Sequence, residues 1–356
     1  MPIIPTVPIE SPIQLGNAML LQNAVKSYSS AIGKDTMLVQ GAGGNVSWKD
    51  ENKLWIKASG TWLAEAEHKE IFIPLDLKVV RELIRENSTD YSAASLSEST
   101  LRPSIETSLH ALLPQPIVVH VHAVDVIARA VLRDAKNDLG TRLAGLNWQW
   151  IDYVKPGLKL TQQIANTINP EQPPDILILG NHGLVVAGRS VDHVDKLLQQ
   201  VLAACHTSPR TNLPPSVEML EKLSVDWGDT NYCIPQHSSY HALSLDPATL
   251  MLAHQKWVMY PDHAIFLGAK AFFQNEIPVK KLLGVNRAEL PCLVITKSGV
   301  VISKDFTPGQ HAMLQCYIDV ATRIANPTDV QALNEEQISE LINWDAEKYR
   351  QKISSL

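Results

Sequence analysis

Apolar and polar positions along the chain follow two periodicities, with helical patterns separated by short apolar runs. Apolar residues at helical spacing predict amphipathic helices over residues 15–32, 77–85, 160–167 and 191–206. Short runs bounded by glycine and other turn residues predict strands at 37–39, 46–48, 54–57, 71–74, 116–122 and 149–154, and a strand pair over 175–187. The predicted helices and strands do not alternate with regular βαβ spacing. This favours an α/β fold of the α+β type, with a central, mostly antiparallel sheet flanked by helices.

A proline-rich segment over residues 208–216 marks a break in the chain. We predict an extended N-terminal arm over 1–14, a core domain over 15–210 and a smaller C-terminal α/β extension over 211–356 that serves as an interface or a lid. In the extension, the patterns predict a strand at 264–267, a hairpin at 293–303, a helix at 307–324 and a charged closing helix at 333–354.

Composition excludes several classes of function. The net charge of −6 gives no electrostatic reason to expect nucleic acid, and no apolar run is long enough to span a membrane. The N-terminus has no basic region and is proline-rich, so it does not resemble a secretory signal. The four cysteines lie far apart, which is typical of reduced thiols in a cytoplasmic protein. The glycines over 41–44 are not followed by a helical pattern, so a dinucleotide-binding turn is not expected.

His120 and His122 lie on one predicted strand. Side chains at positions i and i+2 of a strand point to the same face, so the two imidazoles project together as two ligands of one metal ion would. The alternative is a pair of hydrogen-bonded core histidines. Because two unpaired polar groups on one buried face are costly, the pattern favours a metal site.

His182 is the best candidate for a third ligand. An open catalytic metal site commonly has three protein ligands, and His182 stands in a tight glycine-flanked turn between two apolar strands. Four other histidines stand in polar, loop-like segments and are predicted at the surface: His206, His237, His241 and His254. His263 is not assigned.

Glu106 falls in a helix predicted over residues 104–113, with Ser104 as its N-cap. A carboxylate near a helix N-terminus is common because it suits the helix dipole. The position of Glu106 alone therefore does not identify a catalytic group.

Six segments, taken in order, resemble the class II aldolase/adducin family. They are GGNVS at 43–47, SGT at 59–61, RPSIETSLH at 102–110, VHVHA at 119–123, YVKPG at 153–157 and GNHGL at 180–184. The resemblance covers roughly residues 15–206. Within the family, the chain looks most like the longer members, such as the aldolase part of bifunctional rhamnulose-phosphate aldolase/dehydrogenases, and it is also similar to fuculose-phosphate aldolase.

This resemblance implies a homotetramer, or a dimer, with active sites between subunits. It implies Zn²⁺, or another divalent cation such as Mn²⁺, Co²⁺ or Fe²⁺, bound by His120, His122 and His182, with Glu106 as general acid/base. The substrate is a small carbohydrate-derived molecule, with no nucleic acid or membrane partner. Its anionic end is expected to bind at six positions: Gly44, Asn45, Ser59, Gly60, Thr61 and Ser104.

The implied activity is that of a lyase that cleaves a C–C bond of a hydroxy-carbonyl sugar derivative, a sugar phosphate or a sugar acid, through a metal-stabilised enediolate. An epimerase, a decarboxylase or a dehydratase of the same family is an alternative, and so is a non-catalytic adducin-like interaction domain.

The chain departs from the small sugar-phosphate aldolases at the predicted anion site. Ile105 stands where fuculose-phosphate aldolase has a second phosphate-binding serine, and no lysine or arginine is expected to join that site. Asp262 and His263 could reach a site, but a structural role is favoured for both, and residues 343–350 are expected to form an interface helix.

Overall fold

The protein is represented by a computed structural model that describes residues 15–211, 214–228, 230–275, 290–342 and 344–354. The arm predicted over residues 1–14 lies outside these described residues. Within them, no helix combines the length and the apolar character needed to cross a bilayer.

A large central sheet organises the first part of the chain. Its strands are β1 Asn45–Asp50, β2 Lys53–Lys57, β3 Phe72–Asp76, β4 Ile117–Val121, β5 Trp148–Ile151, β6 Ile176–Leu179 and β7 Gly183–Gly188. They form a seven-stranded sheet in the order β3-β2-β1-β4-β7-β6-β5. Every neighbouring pair is antiparallel except the parallel pair of β5 and β6. The predicted central, mostly antiparallel sheet is confirmed.

Helices cover this sheet. Their bounds are α1 Leu15–Lys34, α2 Leu77–Arg85, α3 Thr107–Leu112, α4 Val124–Ala130, α5 Ala135–Arg142, α6 Leu158–Thr167 and α7 Val191–Cys205. The start of α2 shows how the sequence sets such a boundary, because the Asp76 side chain accepts hydrogen bonds from the backbone N–H groups of Lys78 and Val79. Short 3₁₀ turns lie at Leu63–Glu65, Ser92–Ala94, Ser238–His241 and Pro327–Asp329.

The C-terminal part contains a small sheet and further helices. The helices are α8 Val217–Trp227, α9 Ala242–Leu245, α10 Pro247–Gln255, α11 Pro261–Leu267, α12 Pro308–Ala321, α13 Glu335–Ile342 and α14 Asp345–Ser354. Strands β8 Tyr232–Cys233, β9 Leu293–Thr296 and β10 Gly299–Ser303 form a sheet in the order β8-β10-β9, which contains the predicted hairpin. Val124 and Ile127 of α4 share one hydrophobic core with this part of the chain. The division near residue 210 stays a prediction.

The strand predicted at residues 264–267 is wrong, since these residues belong to α11. Pro261 occupies the first turn of α11, and Gly268, with φ of 90°, ends it. Because most side chains of α11 are buried, its apolar run resembles that of a buried strand.

Three other predicted elements differ from the structure. Residues 37–39 form a turn rather than a strand, because the Asp35 carbonyl accepts hydrogen bonds from Leu38 and Val39. The helix predicted from Ser104 begins only at Thr107, with Glu106 at its N-cap position. The closing helix predicted over 333–354 is two helices, α13 and α14, and Trp344 between them packs against Gly157 and Lys155.

Candidate metal centre and active site

Three histidine side chains converge at one end of the central sheet. His120, His122 and His182 are buried, and one potential ligand nitrogen from each lies within 4.8 Å of the others. The Nε2 atoms of His120 and His122 are 3.2 Å apart. Two nitrogens bound to one tetrahedral zinc ion at about 2.0–2.1 Å would be separated by about 3.3 Å, so this spacing suits a shared ion.

The sheet places these histidines. His120 lies on β4 directly opposite Asn45 of β1 and Val185 of β7, so it is held from both sides. His182 lies in the turn between β6 and β7. Its neighbour Asn181 adopts a φ of 52°, and the Asn181 amide donates hydrogen bonds to the carbonyls of Met259 (2.9 Å) and Gln331 (2.7 Å). The C-terminal part of the chain therefore fixes the turn that carries His182.

Hydrogen bonds on the outer side of the imidazoles direct their inner nitrogens toward one another. His120 Nδ1 donates to the Leu184 carbonyl at 3.0 Å, and His122 Nδ1 lies 3.3 Å from Asp262 Oδ2. Metal-binding histidines commonly donate their second N–H to a carbonyl or a carboxylate in this way. His182 Nδ1 is buried without a hydrogen-bond partner among the described residues. These three side chains fit a divalent metal ion.

Burial favours the neutral form of His120 and His182. It lowers the pKa of His120 despite the nearby Glu106, and it lowers the pKa of His182 to about 3. A neutral imidazole has a free lone pair on one nitrogen, which is the form that binds a metal ion.

Glu106 faces the same point from the N-cap position of α3. Its Oε2 lies 3.4 Å from His120 Nε2, and its Oε1 lies 3.7 Å from His182 Nε2. Burial raises the pKa of Glu106, but the neighbouring histidines and a hydrogen bond from Asn45 outweigh this effect, and the pKa lies at about 2. Glu106 is therefore ionised at neutral pH, as a general base must be.

A buried polar chain holds Glu106 in place. The Asn45 side-chain amide donates through Nδ2 to Glu106 Oε2 at 2.8 Å, and the Asn45 side-chain oxygen Oδ1 accepts a short hydrogen bond from His110 Nε2. The other ring nitrogen of His110, Nδ1, accepts from the Ser47 hydroxyl at 2.6 Å. Burial lowers the pKa of His110 to about 3, so this imidazole is neutral. His110 is the last residue of the RPSIETSLH segment, and the sequence did not show its link to Asn45.

A cleft opens beside Glu106, His122 and His182. Five of the predicted substrate-binding residues line it: Gly44, Asn45, Ser59, Gly60 and Ser104. Gly44 has a φ of 61°, and a Cβ atom there would lie 2.7 Å from the His120 carbonyl oxygen, so only glycine fits this close approach. The sixth, Thr61, is not part of the cleft wall, and its hydroxyl donates to the Ala58 carbonyl at 2.8 Å.

The expectation that no lysine or arginine joins the anion site is wrong, because Lys57 and Arg350 both line the cleft. Lys57 is 2% exposed, and its Nζ donates to the Ala42 carbonyl at 3.2 Å. Burial and the nearby Arg350 lower the pKa of Lys57 to about 7. Lys57 stands two positions before the Ser59-Gly60 turn and was detectable from the sequence, whereas Arg350 gave no local signal.

Two further histidines lie outside the cleft wall, and one of them is buried where a surface position was predicted. His241, predicted at the surface, is buried, and its Nδ1 accepts from the Val300 backbone N–H at 3.0 Å. His263 is buried with its ring centroid 4.4 Å from those of Trp257 and Tyr317, and it is not part of the cleft wall.

Part of this chain is similar in sequence to known proteins. The sequence model described as "Class II Aldolase and Adducin N-terminal domain" matches residues 28–208. The "Uncharacterized oxidoreductase YuxG" of Bacillus subtilis is 32% identical over 178 residues, which are 46% of this chain and 26% of that protein. An "L-fuculose phosphate aldolase" of Methanococcus vannielii is 27% identical over 157 residues, which are 44% of this chain and 78% of that protein.

The chain is also similar to a solved structure. The N-terminal class II aldolase domain of a conserved protein from Thermoplasma acidophilum is 22% identical, with a TM-score of 0.47, over 55% of this chain and 94% of that one. The match to the Bacillus relative spans about a quarter of that protein's length, whereas the family match spans half of this chain. The chain belongs to the class II aldolase and adducin N-terminal domain family.

Proposed function

We propose that this protein is a metal-dependent aldolase-type lyase that cleaves a C–C bond of a hydroxy-carbonyl sugar derivative. The observation that carries the proposal is the convergence of three imidazoles and the ionised Glu106 beside a cleft that His122, His182 and Glu106 line. His120, His122 and His182 would hold Zn²⁺ or another divalent cation. When bound, that cation supplies Lewis-acid stabilisation of the negative charge that develops on the substrate's oxygens.

Glu106 is suited to move a proton at carbon. Its Oε2 is fixed by Asn45, whereas Oε1 is buried with no hydrogen-bond donor among the described residues. In cleavage, the substrate hydroxyl gives its proton to the ionised Glu106 carboxylate as the C–C bond breaks, one fragment leaves as an aldehyde and the electron pair remains on the other as an enolate. Glu106 then delivers that proton to the enolate carbon, and in the reverse direction the carboxylate removes the proton from this carbon and returns it to the oxygen.

Lys57 is suited to bind the anionic end of the substrate. Its Nζ is buried at the cleft wall, where a bound anion would favour the charged form, and its one hydrogen bond among the described residues goes to the Ala42 carbonyl. A buried ammonium makes strong charge-assisted hydrogen bonds with a carboxylate or a phosphate. Ser59 and Ser104 line the same cleft, so a sugar acid or a sugar phosphate can be held between Lys57 and these hydroxyls.

The test is a screen of sugar acids and sugar phosphates for aldehyde release by protein of known metal content. Release of an aldehyde separates the lyase from an epimerase, a decarboxylase, a dehydratase and a non-catalytic domain. On the substrate found, Glu106→Gln should lower kcat by roughly 10²- to 10⁴-fold, the usual contribution of a general acid/base. Exposed Glu336 on α13 provides the matched control Glu336→Gln, which should keep wild-type activity. Full activity of Glu106→Gln would refute the assigned role.

Assembly and location stay predictions. A homotetramer, or a dimer, with active sites between subunits is tested by light scattering on the purified protein. A cytoplasmic location is tested by fractionation of the source cells.

A further inference from the structure

The C-terminal helix α14 contacts the histidine cluster through a single carboxylate. Arg350 on α14 donates from Nη1 to Asp262 Oδ1 and from Nη2 to Asp262 Oδ2, each at 2.6 Å. Asp262 Oδ2 in turn lies 3.3 Å from His122 Nδ1. We propose that Arg350 and Asp262 are positioning residues that hold His122 for metal binding, so that α14 is part of the metal centre. This inference rests on the proposed function for the assignment of His122 as a ligand.

The contact between Arg350 and Asp262 fixes the plane of the carboxylate. A guanidinium group that donates two parallel hydrogen bonds to one carboxylate defines its orientation as well as its distance. The side chains of Arg350, Asp262 and His122 are 10%, 4% and 7% exposed, so water screens these contacts little. Glu347, one helical turn earlier, accepts a further hydrogen bond from Arg350 Nη1 through its Oε2 at 3.3 Å.

The carboxylate selects the orientation of the imidazole. When the Nδ1–H group of His122 donates a hydrogen bond to Asp262, the lone pair stays on Nε2, which faces His120 Nε2 at 3.2 Å. Without the acceptor, the His122 ring can rotate or take the other tautomer, and either change removes a ligand lone pair from the cluster.

Helix α14 is seated directly on the turn at the end of β2. Gly60 has a φ of 82°, and a Cβ atom there would lie 2.5 Å from Ile353 Cβ and 2.9 Å from the Arg350 carbonyl oxygen. Gln351 also donates a short hydrogen bond to the Ile265 carbonyl of α11, the helix that carries Asp262. The position of Arg350 is therefore set by contacts on both sides of the cleft.

The experiment measures the affinity of the full-length protein for Zn²⁺ and, separately, for Co²⁺. Each metal is titrated in competition with a chromophoric chelator. We expect Arg350→Met and Asp262→Asn to bind metal about 10- to 100-fold more weakly than wild type, the usual effect of losing such an outer contact. Arg350→Lys keeps the positive charge but cannot donate two parallel hydrogen bonds to one carboxylate, so its metal affinity should be intermediate. Lys348→Ala, on the exposed side of α14, is the matched control and should bind as wild type does.

A merely structural role predicts a different pattern. In that case the variants would lower the unfolding temperature of the metal-free protein, but the folded variants would keep the wild-type metal affinity and the wild-type Co²⁺ absorption spectrum. That result would overturn the inference and leave the proposed function intact. Should Arg350→Met fail to fold, Arg350→Lys and Asp262→Asn decide between the two patterns. Wild-type protein that binds neither metal would overturn the proposed function together with this inference.

Discussion

The side-chain amide of Asn45 donates a 2.8 Å hydrogen bond to Glu106 Oε2. Asn45 was predicted to bind the substrate, and it does line the cleft. Its side-chain amide and side-chain oxygen, however, already form hydrogen bonds with Glu106 and His110. Its arrangement suits a residue that orients Glu106, the carboxylate proposed as general acid/base. Its part in substrate binding stays a prediction.

The first prediction concerns this hydrogen bond. Asn45→Ala removes a donor from a buried carboxylate, and such a bond to a charged group contributes about 1.5–3 kcal/mol. We expect kcat to fall roughly 10- to 100-fold on this basis, with a smaller change in KM. Steady-state kinetics on the confirmed substrate measure it. Asn52→Ala, at an exposed turn between β1 and β2, is the control, and an unchanged kcat in Asn45→Ala would exclude the orienting role.

Metal binding should also stabilise the fold. A ligand that binds only the folded state raises its stability by RT ln(1 + [L]/Kd), about 2.7 kcal/mol at a concentration 100 times Kd. Adding Zn²⁺ to metal-free wild-type protein should therefore raise the unfolding temperature, and His182→Ala should lose this response. His254→Ala, at an exposed position, is the control and should respond as wild type does. An equal response of His182→Ala would argue that the ion binds elsewhere.

Lys57 should determine the preference for anionic substrates. Lys57→Met removes the buried ammonium from the cleft wall, so the KM for an anionic substrate should rise by at least 10-fold, since a hydrogen bond to a charged group contributes about 1.5–3 kcal/mol. A neutral analogue that lacks the acidic group should show little change. Kinetics with the two substrates provide the comparison, and an equal effect on both would mean that Lys57 serves the fold rather than anion binding.

Lys49 provides a pH-dependent prediction for stability. It is buried on β1, where Nζ donates to the Gln115 carbonyl at 2.8 Å, and burial, with a contribution from Arg81, lowers its pKa to about 7. In the unfolded chain its pKa is about 10.4. Between these values the unfolded state binds the extra proton, so the Lys49 contribution to stability rises with pH from about 7 to about 10.

Comparison with Lys49→Met isolates this contribution. Below pH 7 the full cost of burying the ammonium is present in wild type, and about 1.4 kcal/mol of it is relieved per pH unit above that value. The free energy of unfolding of Lys49→Met minus that of wild type should therefore be largest near pH 7 and should decline toward pH 10. Urea unfolding of both proteins at several pH values measures the difference. A constant difference would show that Lys49 has an ordinary pKa in the folded state.

Much of the fold and of the histidine cluster could be predicted from the sequence, because the signals are local. His120 and His122 are two positions apart on one strand, and His182 lies in a turn marked by glycines on both sides. The resemblance in ordered motifs indicated that these three residues belong together. The geometry agrees with that expectation, although their role as ligands stays a prediction.

The residues that the sequence did not reveal act over long distances in the chain. Arg350 lies 88 positions after Asp262, and the two meet only because α14 packs on Gly60 and α11. The prediction for residues 264–267 failed for a related reason, since a helix buried on most sides has no polar face to show its period. Composition and periodicity describe each segment but not its tertiary partner.

The metal content of freshly purified protein, prepared without chelators, tests the central claim most directly. Elemental analysis of wild type beside His182→Ala compares the three-histidine site with one that lacks a ligand. We expect a stoichiometric divalent cation in wild type and a marked loss in His182→Ala. Wild-type protein without a stoichiometric divalent ion, or His182→Ala with a full complement of metal, would contradict the three-histidine metal centre.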